Sequence, residues 1–192
     1  MGSFVLTRRR LIGAAAMVIV ARQAGAQPTD LEIQEDDEIS RRNVSSFKAQ
    51  DWRDHFSELG VGAIVADTVS RALHFWNGDG TDYRIYPTSV PRTDDLTRRG
   101  YTKIVRKKVG PDWTPTASQI ARFPDWKYMP PGPENPLGTH AMYLDWPAYL
   151  IHGTHDTRKI GRRSSDGCIG LYNDAIADLF EVTPIGTQVR LI

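Results

Sequence analysis

Two residues of this chain have the type and spacing for covalent chemistry. Cys168 is the only cysteine among 192 residues, and His152 stands 16 positions before it in the run IHGTHDTRKIGRRSSDGCIGL. A free thiol is only a few per cent ionised at neutral pH, so a cysteine that attacks a carbonyl needs a nearby imidazole to take its proton. A small buried cysteine kept for packing is the common alternative. The flanking glycines Gly167 and Gly170, with a histidine at a defined interval, favour the nucleophile. Gly167 lets the backbone turn tightly before the thiol, and the N–H groups around Gly167 and Cys168 would face the oxyanion of an acyl intermediate. Such a pair transfers acyl groups through a thioester, with water or an amine as acceptor. A metal site of His152, His155, Cys168 and His140 is the weaker reading, since His-x-x-His on a loop is a poor ligand signature. No metal or cofactor is expected. The cysteine follows every histidine, the reverse of the papain-like order, and His55, His74 and His140 read as structural or surface residues.

The surrounding pattern is mostly β. Residues 61–66 and 72–76 are strand-like runs, Asn77-Gly78-Asp79-Gly80 is a turn, and Tyr83-Arg84-Ile85-Tyr86 alternates as a returning strand should. Residues 141–144 and 148–152 read as two more strands, the second delivering His152 at its end. After Cys168, Ile176, Leu179 and Phe180 have helical spacing, with Asn173 as the expected N-cap. A turn at 183–186 leads into a last strand, 188–192. Between Pro111 and Gly138, repeated prolines forbid a regular helix or central strand across most of the segment, which has the length of a functional loop or lid.

The N-terminus has the composition of an export signal. Arg8, Arg9 and Arg10 precede an apolar run from Leu11 to Ala21, and Ala24-Gly25-Ala26 has the small residues of a cleavage site. The run is shorter than the roughly 20 residues a bilayer span requires, so no transmembrane segment is expected in the mature chain. Thr7-Arg8-Arg9 before Leu11 and Ile12 has the form of a twin-arginine signal; an ordinary secretory signal is the alternative. In an oxidising compartment a lone cysteine cannot close an intramolecular disulfide, which again favours a reactive role. The expected organisation is a signal over 1–26, a polar tether and lead-in over 27–59, and one domain over 60–192. The net charge of +1 gives no electrostatic case for nucleic acid. Arg158, Lys159, Arg162 and Arg163 form a local basic patch, either a solvated loop or a cradle for an anionic substrate.

His152-Gly153-Thr154, Gly161, Ser165, Gly167-Cys168-Ile169 and Leu171 together resemble the signature of the L,D-transpeptidase catalytic domain, HGTxxxxxxGxxxSxGCIRL, in every interval. Segments around Trp113-Thr114-Pro115 and residues 133–138 are similar to those of short exported bacterial members. The resemblance implies a single β-sandwich or barrel domain with one or two short helices. It implies a periplasmic, metal-free enzyme that remodels peptidoglycan and is acylated by carbapenem-type β-lactams. Cys168 would attack a stem-peptide carbonyl at an L–D junction, with His152 as base, and a diaminopimelate amine would resolve the thioester. Gly153, Ser165 and Gly167 would shape the oxyanion turn, and Thr154, Arg162 and Arg163 would line the substrate path. The chain departs from the signature in two places. Gly170 stands where arginine (or asparagine) is usual, and Asp166 where histidine or serine is common; Asp166 is expected to repel an anionic substrate or to pair with Arg162 or Arg163. A 3–3 cross-link is the main expectation and a 1–3 cross-link the other product open to an altered pocket. Hydrolysis or D-amino-acid exchange, and wall binding without catalysis, are the alternative functions.

Overall fold

The run Ala63-Ile64-Val65-Ala66 has no polar side chain, as a strand covered on both faces should. In the computed structural model, which describes residues 47–192, it lies in β1 (Gly62–Asp67), buried along its whole length. The two-residue period of a strand divides its side chains. Ile64 and Ala66 join Leu73, Phe75, Met142, Ile151, Ile176, Leu179 and Val189 in the main core, while Ala63 and Val65 face the other way, onto Phe56, Leu59 and Trp76. A 3-10 turn, Trp52–Asp54, begins with Asp51 accepting from Arg53 N, and so residues 52–59 of the lead-in cover the sheet's second face.

β2 (Ala72–Asn77) and β3 (Tyr83–Pro87) follow as antiparallel neighbours, joined by the turn expected at 77–80. Then come β4 (Val90–Pro91), β5 (Gly100–Val109), β6 (His140–Leu144), β7 (Leu150–His152), β8 (Arg163–Ser165), β9 (Ile169–Gly170) and β10 (Gln188–Leu191). Eight strands form one sheet in the order β3-β2-β1-β10-β5-β6-β7-β9, with β1–β10 and β7–β9 parallel. The fold is mostly β, as expected. The sheet curls far enough for its two edges to meet. Ser89, just past β3, exchanges backbone hydrogen bonds with Gly170 of β9 (2.8 and 3.1 Å), and β4 pairs with β8 beside it.

Two short helices complete the described residues. α1 (Ala117–Arg122) occupies the proline-free stretch between Pro115 and Pro124, and a capping box of Thr116 and Gln119 starts it. Around it the 111–138 segment is stapled. Trp113 and Met129 exchange backbone bonds at 2.9 Å, and the buried Asn135 amide donates to the carbonyls of Pro111, Met129 and Pro130. α2 (Asn173–Val182) buries Ile176 and Leu179, worth about 1.5–3 kcal/mol each. Its N-cap is Tyr172, without a side-chain bond. Asn173 instead turns Oδ1 to the Thr139 N–H (3.1 Å), tying the helix start to β6. Lys107 donates to the carbonyls of Phe180 and Thr183 at the other end, where the helix dipole favours a cation.

Candidate active site

The parallel pairing of β7 with β9 sets His152 opposite Gly170, and Cys168 stands immediately before β9. His152 and Cys168 thereby line one cleft, although the loop between them holds a 3-10 turn (Thr157–Lys159) and β8. His152 is buried, and its Nδ1 donates to the Gly153 carbonyl at 2.5 Å. That bond places the proton on Nδ1 and leaves Nε2 as the basic nitrogen. Burial lowers the His152 pKa to about 4, a shift the Gly153 carbonyl only partly offsets. The Cys168 thiol donates to the Ala148 carbonyl (3.6 Å), and burial pushes its pKa up to about 11 against a smaller lowering by the Leu150 N–H. At neutral pH the resting pair is therefore a neutral thiol and a neutral imidazole. That is the state from which an imidazole removes a thiol proton as the sulfur attacks.

The turn carrying Cys168 is fixed by its own sequence. Gly167 has φ of 133°, a conformation side chains rarely adopt. Ser165 Oγ donates to the Cys168 carbonyl (2.6 Å) and accepts from Gly167 N (3.4 Å). Gly170 has a different reason. A Cβ there would overlap Ser89 Oγ, so a side chain at that position requires the Ser89 hydroxyl to turn away.

Ser165, Asp166 and Thr154 line the cleft with the catalytic candidates; Thr154 Oγ1 also caps the next turn by accepting from Asp156 N (3.1 Å). Arg162 and Arg163 are exposed and not among the cleft's lining residues; Arg163 pairs with Asp94 (2.9 Å). Of the basic patch only Lys159 lines the cleft, since Arg158 turns to Asp156 (2.8 Å). Asp166 pairs with neither Arg162 nor Arg163, contrary to expectation. Its Oδ1 lies 3.1 Å from both Arg92 and Arg122. Trp113, noted in the sequence only for its family resemblance, also lines the cleft, as do Ser89, Arg92 and Trp126, which were not singled out. The clustered tryptophans of the 111–138 segment were a signal for two of them; Ser89 and Arg92 carried none. Among the described residues no three of His, Cys, Asp and Glu gather where they could share a metal ion, and no helix is long and apolar enough to cross a membrane. His140 bonds Thr139 Oγ1 and packs on Phe180, and His155 lines an adjoining cleft.

The profile of the L,D-transpeptidase catalytic domain matches residues 62–191. The chain belongs to this family. An L,D-transpeptidase named for the ATP synthase subunits region (ORF 5) of Fuscovulum blasticum is 72% identical over 152 residues, which are 79% of this chain and 80% of that protein. The L,D-transpeptidase YbiS of Escherichia coli is 46% identical over 135 residues, 67% of this chain but 44% of YbiS. The chain thus spans most of the first relative and under half of the second. Among solved structures, an L,D-transpeptidase from Mycobacterium smegmatis is similar with a TM-score of 0.55 at 19% identity, covering 69% of this chain and 58% of that one. The L,D-transpeptidase LdtMt1 in complex with imipenem gives 0.54 at 17% identity, covering 69% and 59%. At such identities these two structures speak for the fold.

Proposed function

We propose that this chain is a peptidoglycan cross-linking enzyme in which Cys168 is the nucleophile and His152 the base. The observation that carries the proposal is the meeting of the family's thiol and imidazole in one cleft, His152 ending β7 and Cys168 just before the paired β9, with the imidazole neutral and its Nδ1 proton already placed. Cys168 attacks the carbonyl of an L-centre at an L–D junction, and its proton passes to His152 Nε2 as the S–C bond forms. Backbone N–H groups of the 166–168 turn hold the oxyanion. Collapse breaks the C–N bond, and the imidazolium returns the proton to the departing D-residue amine. A diaminopimelate amine then attacks the thioester and gives a proton to His152; the new amide forms as the thiol leaves and is reprotonated. The favoured product is the 3–3 cross-link, from diaminopimelate to diaminopimelate. Attack at the leading L-alanine would give 1–3 cross-links instead. Residues 1–26 lie outside the described residues; read as an export signal, they make the periplasm the proposed compartment.

The test is intact-protein mass spectrometry of residues 27–192 with a carbapenem and with stem peptides, beside Cys168→Ala. The expected result is a stoichiometric adduct that the variant does not form. A variant that still turns over stem peptide would refute the mechanism, and wild type that binds peptidoglycan without acylation would favour a wall-binding domain. Water as the main acceptor would appear as shortened stems without cross-links.

A further inference from the structure

The ion pairs around Asp166 leave positive charge over at the cleft. Asp166 is almost buried, with 10% of its side chain exposed, and one of its oxygens lies 3.1 Å from both Arg92 and Arg122. Two guanidiniums on one carboxylate leave one charge uncompensated. Both arginines keep more than a third of their side chains exposed, and at these ion-pair distances Asp166 Oδ1 accepts a hydrogen bond from neither, so guanidinium N–H donors remain for a ligand. The array is braced. The guanidinium carbons of Arg92 and Arg122 lie 5.8 and 5.9 Å from the Phe123 ring centroid, and Phe123 stacks on Trp126 at 4.2 Å. Trp126, Asp166 and Arg92 line the same cleft as Cys168.

Gly170 sharpens the point. Gly170 supplies no charge where the family signature has arginine, and a side chain there would require Ser89 Oγ to turn away. The cations that line the cleft are Lys159 and Arg92, and of the two Arg92 is the one set beside Asp166.

We infer that Arg92, held by Asp166 and relieved of part of its pairing by Arg122, binds a free carboxylate of the peptide whose carbonyl Cys168 attacks. This rests on the cleft being the acyl-transfer site. Arg92 meets the carboxylate. Arg122 is a positioning residue: it shares the Asp166 charge, which would otherwise be spent on Arg92 alone. A guanidinium fork facing a carboxylate makes charge-assisted bonds that a carboxamide cannot match.

The test separates binding from chemistry. On the Cys168→Ala background, calorimetry compares a stem tetrapeptide of L-alanine, D-glutamate, diaminopimelate and D-alanine with the same peptide amidated at its carboxylates. The carboxylate form is expected to bind roughly ten- to a hundred-fold tighter. The gap should close in Arg92→Gln, narrow in Arg122→Gln, and shrink with rising salt. An unchanged gap in both variants, or no preference in the parent, would overturn the assignment. Arg122→Gln removes a half-exposed side chain from a six-residue helix and keeps the test open if Arg92→Gln fails to fold. Acylation of the Cys168 protein, followed by mass, assigns the carboxylate to the donor. An Arg92→Gln defect confined to the later transfer to amine would refute the donor assignment. Carboxylate-selective binding without any acyl-enzyme would sink the transpeptidase reading and leave the arginine site standing.

Discussion

Changing the pH should expose how Cys168 is held at rest. Burial puts its thiol at about 11, above an ordinary value of 9.0, and His152 at about 4. Near neutrality the thiolate fraction is then about one part in ten thousand, against about one in a hundred for the unperturbed thiol. Intrinsic nucleophilicity rises about 0.4–0.5 log units per unit of thiol pKa, which recovers a little under ten-fold of that hundred-fold loss. The net expectation is alkylation by iodoacetamide roughly ten-fold slower than for a free thiol at neutral pH. Its rate should keep climbing with pH toward the thiol's own pKa. The assay is the rate of iodoacetamide addition by intact mass across the pH range, with ultraviolet thiolate absorbance of wild type minus Cys168→Ala as a second readout. A rate that has levelled off by about pH 8, or thiolate absorbance at neutral pH, would mean a preformed thiolate–imidazolium pair. The neutral-pair account would then be wrong, because burial would not be the dominant influence on the thiol.

Further outcomes are expected. His152→Ala should lower acyl transfer by several orders of magnitude in single-turnover assays while leaving a titratable thiol. Burial also holds His74 at about 4. Unfolded histidines take up protons near 6.5 and these two do not, so stability should fall as pH drops from about 6.5 toward about 4, by on the order of 3 kcal/mol for each. Melting curves of His74→Phe should show a shallower loss over that window, and an equally steep one would contradict the assignment. Gly170→Ala should cost about 1 kcal/mol or less, since the Ser89 hydroxyl has to turn away from the new methyl. A Ser89→Gly partner should recover most of that in a denaturation double-mutant cycle, whereas strict additivity would show that the two residues do not compete for the space. N-terminal sequencing of the exported protein should begin at Gln27, and muropeptide analysis should find diaminopimelate-to-diaminopimelate links.

Local chemistry made several features legible in the sequence. The β1–β3 region could be read because apolar runs, alternation and an Asn-Gly turn are short-range signals. The pair His152 and Cys168, and the turn through Ser165 and Gly167, could be read because a strand end and a glycine turn carry them at fixed intervals. β5 escaped notice because its basic, largely exposed pattern looks like solvated chain, and only pairing with β10 and β6 makes it a strand. The α1 capping box was readable but overshadowed by the prolines around it. Asn173 has the chemistry of an N-cap, yet Thr139 claims its oxygen.

What the sequence alone determined was the β character and the family, and it singled out His152 and Cys168 as the candidate pair, since each rests on spacing that survives any arrangement of the remote chain. Tertiary structure decided which charges meet and which remote residues touch. Arg92 and Arg122 reach Asp166, and Ser89 faces Gly170, because the curled sheet brings its first and last strands together and the 111–138 segment is stapled beside them. No local periodicity encodes such encounters. They depend on loop closure over long stretches of chain, whose cost is met by the whole core and not by the residues that meet.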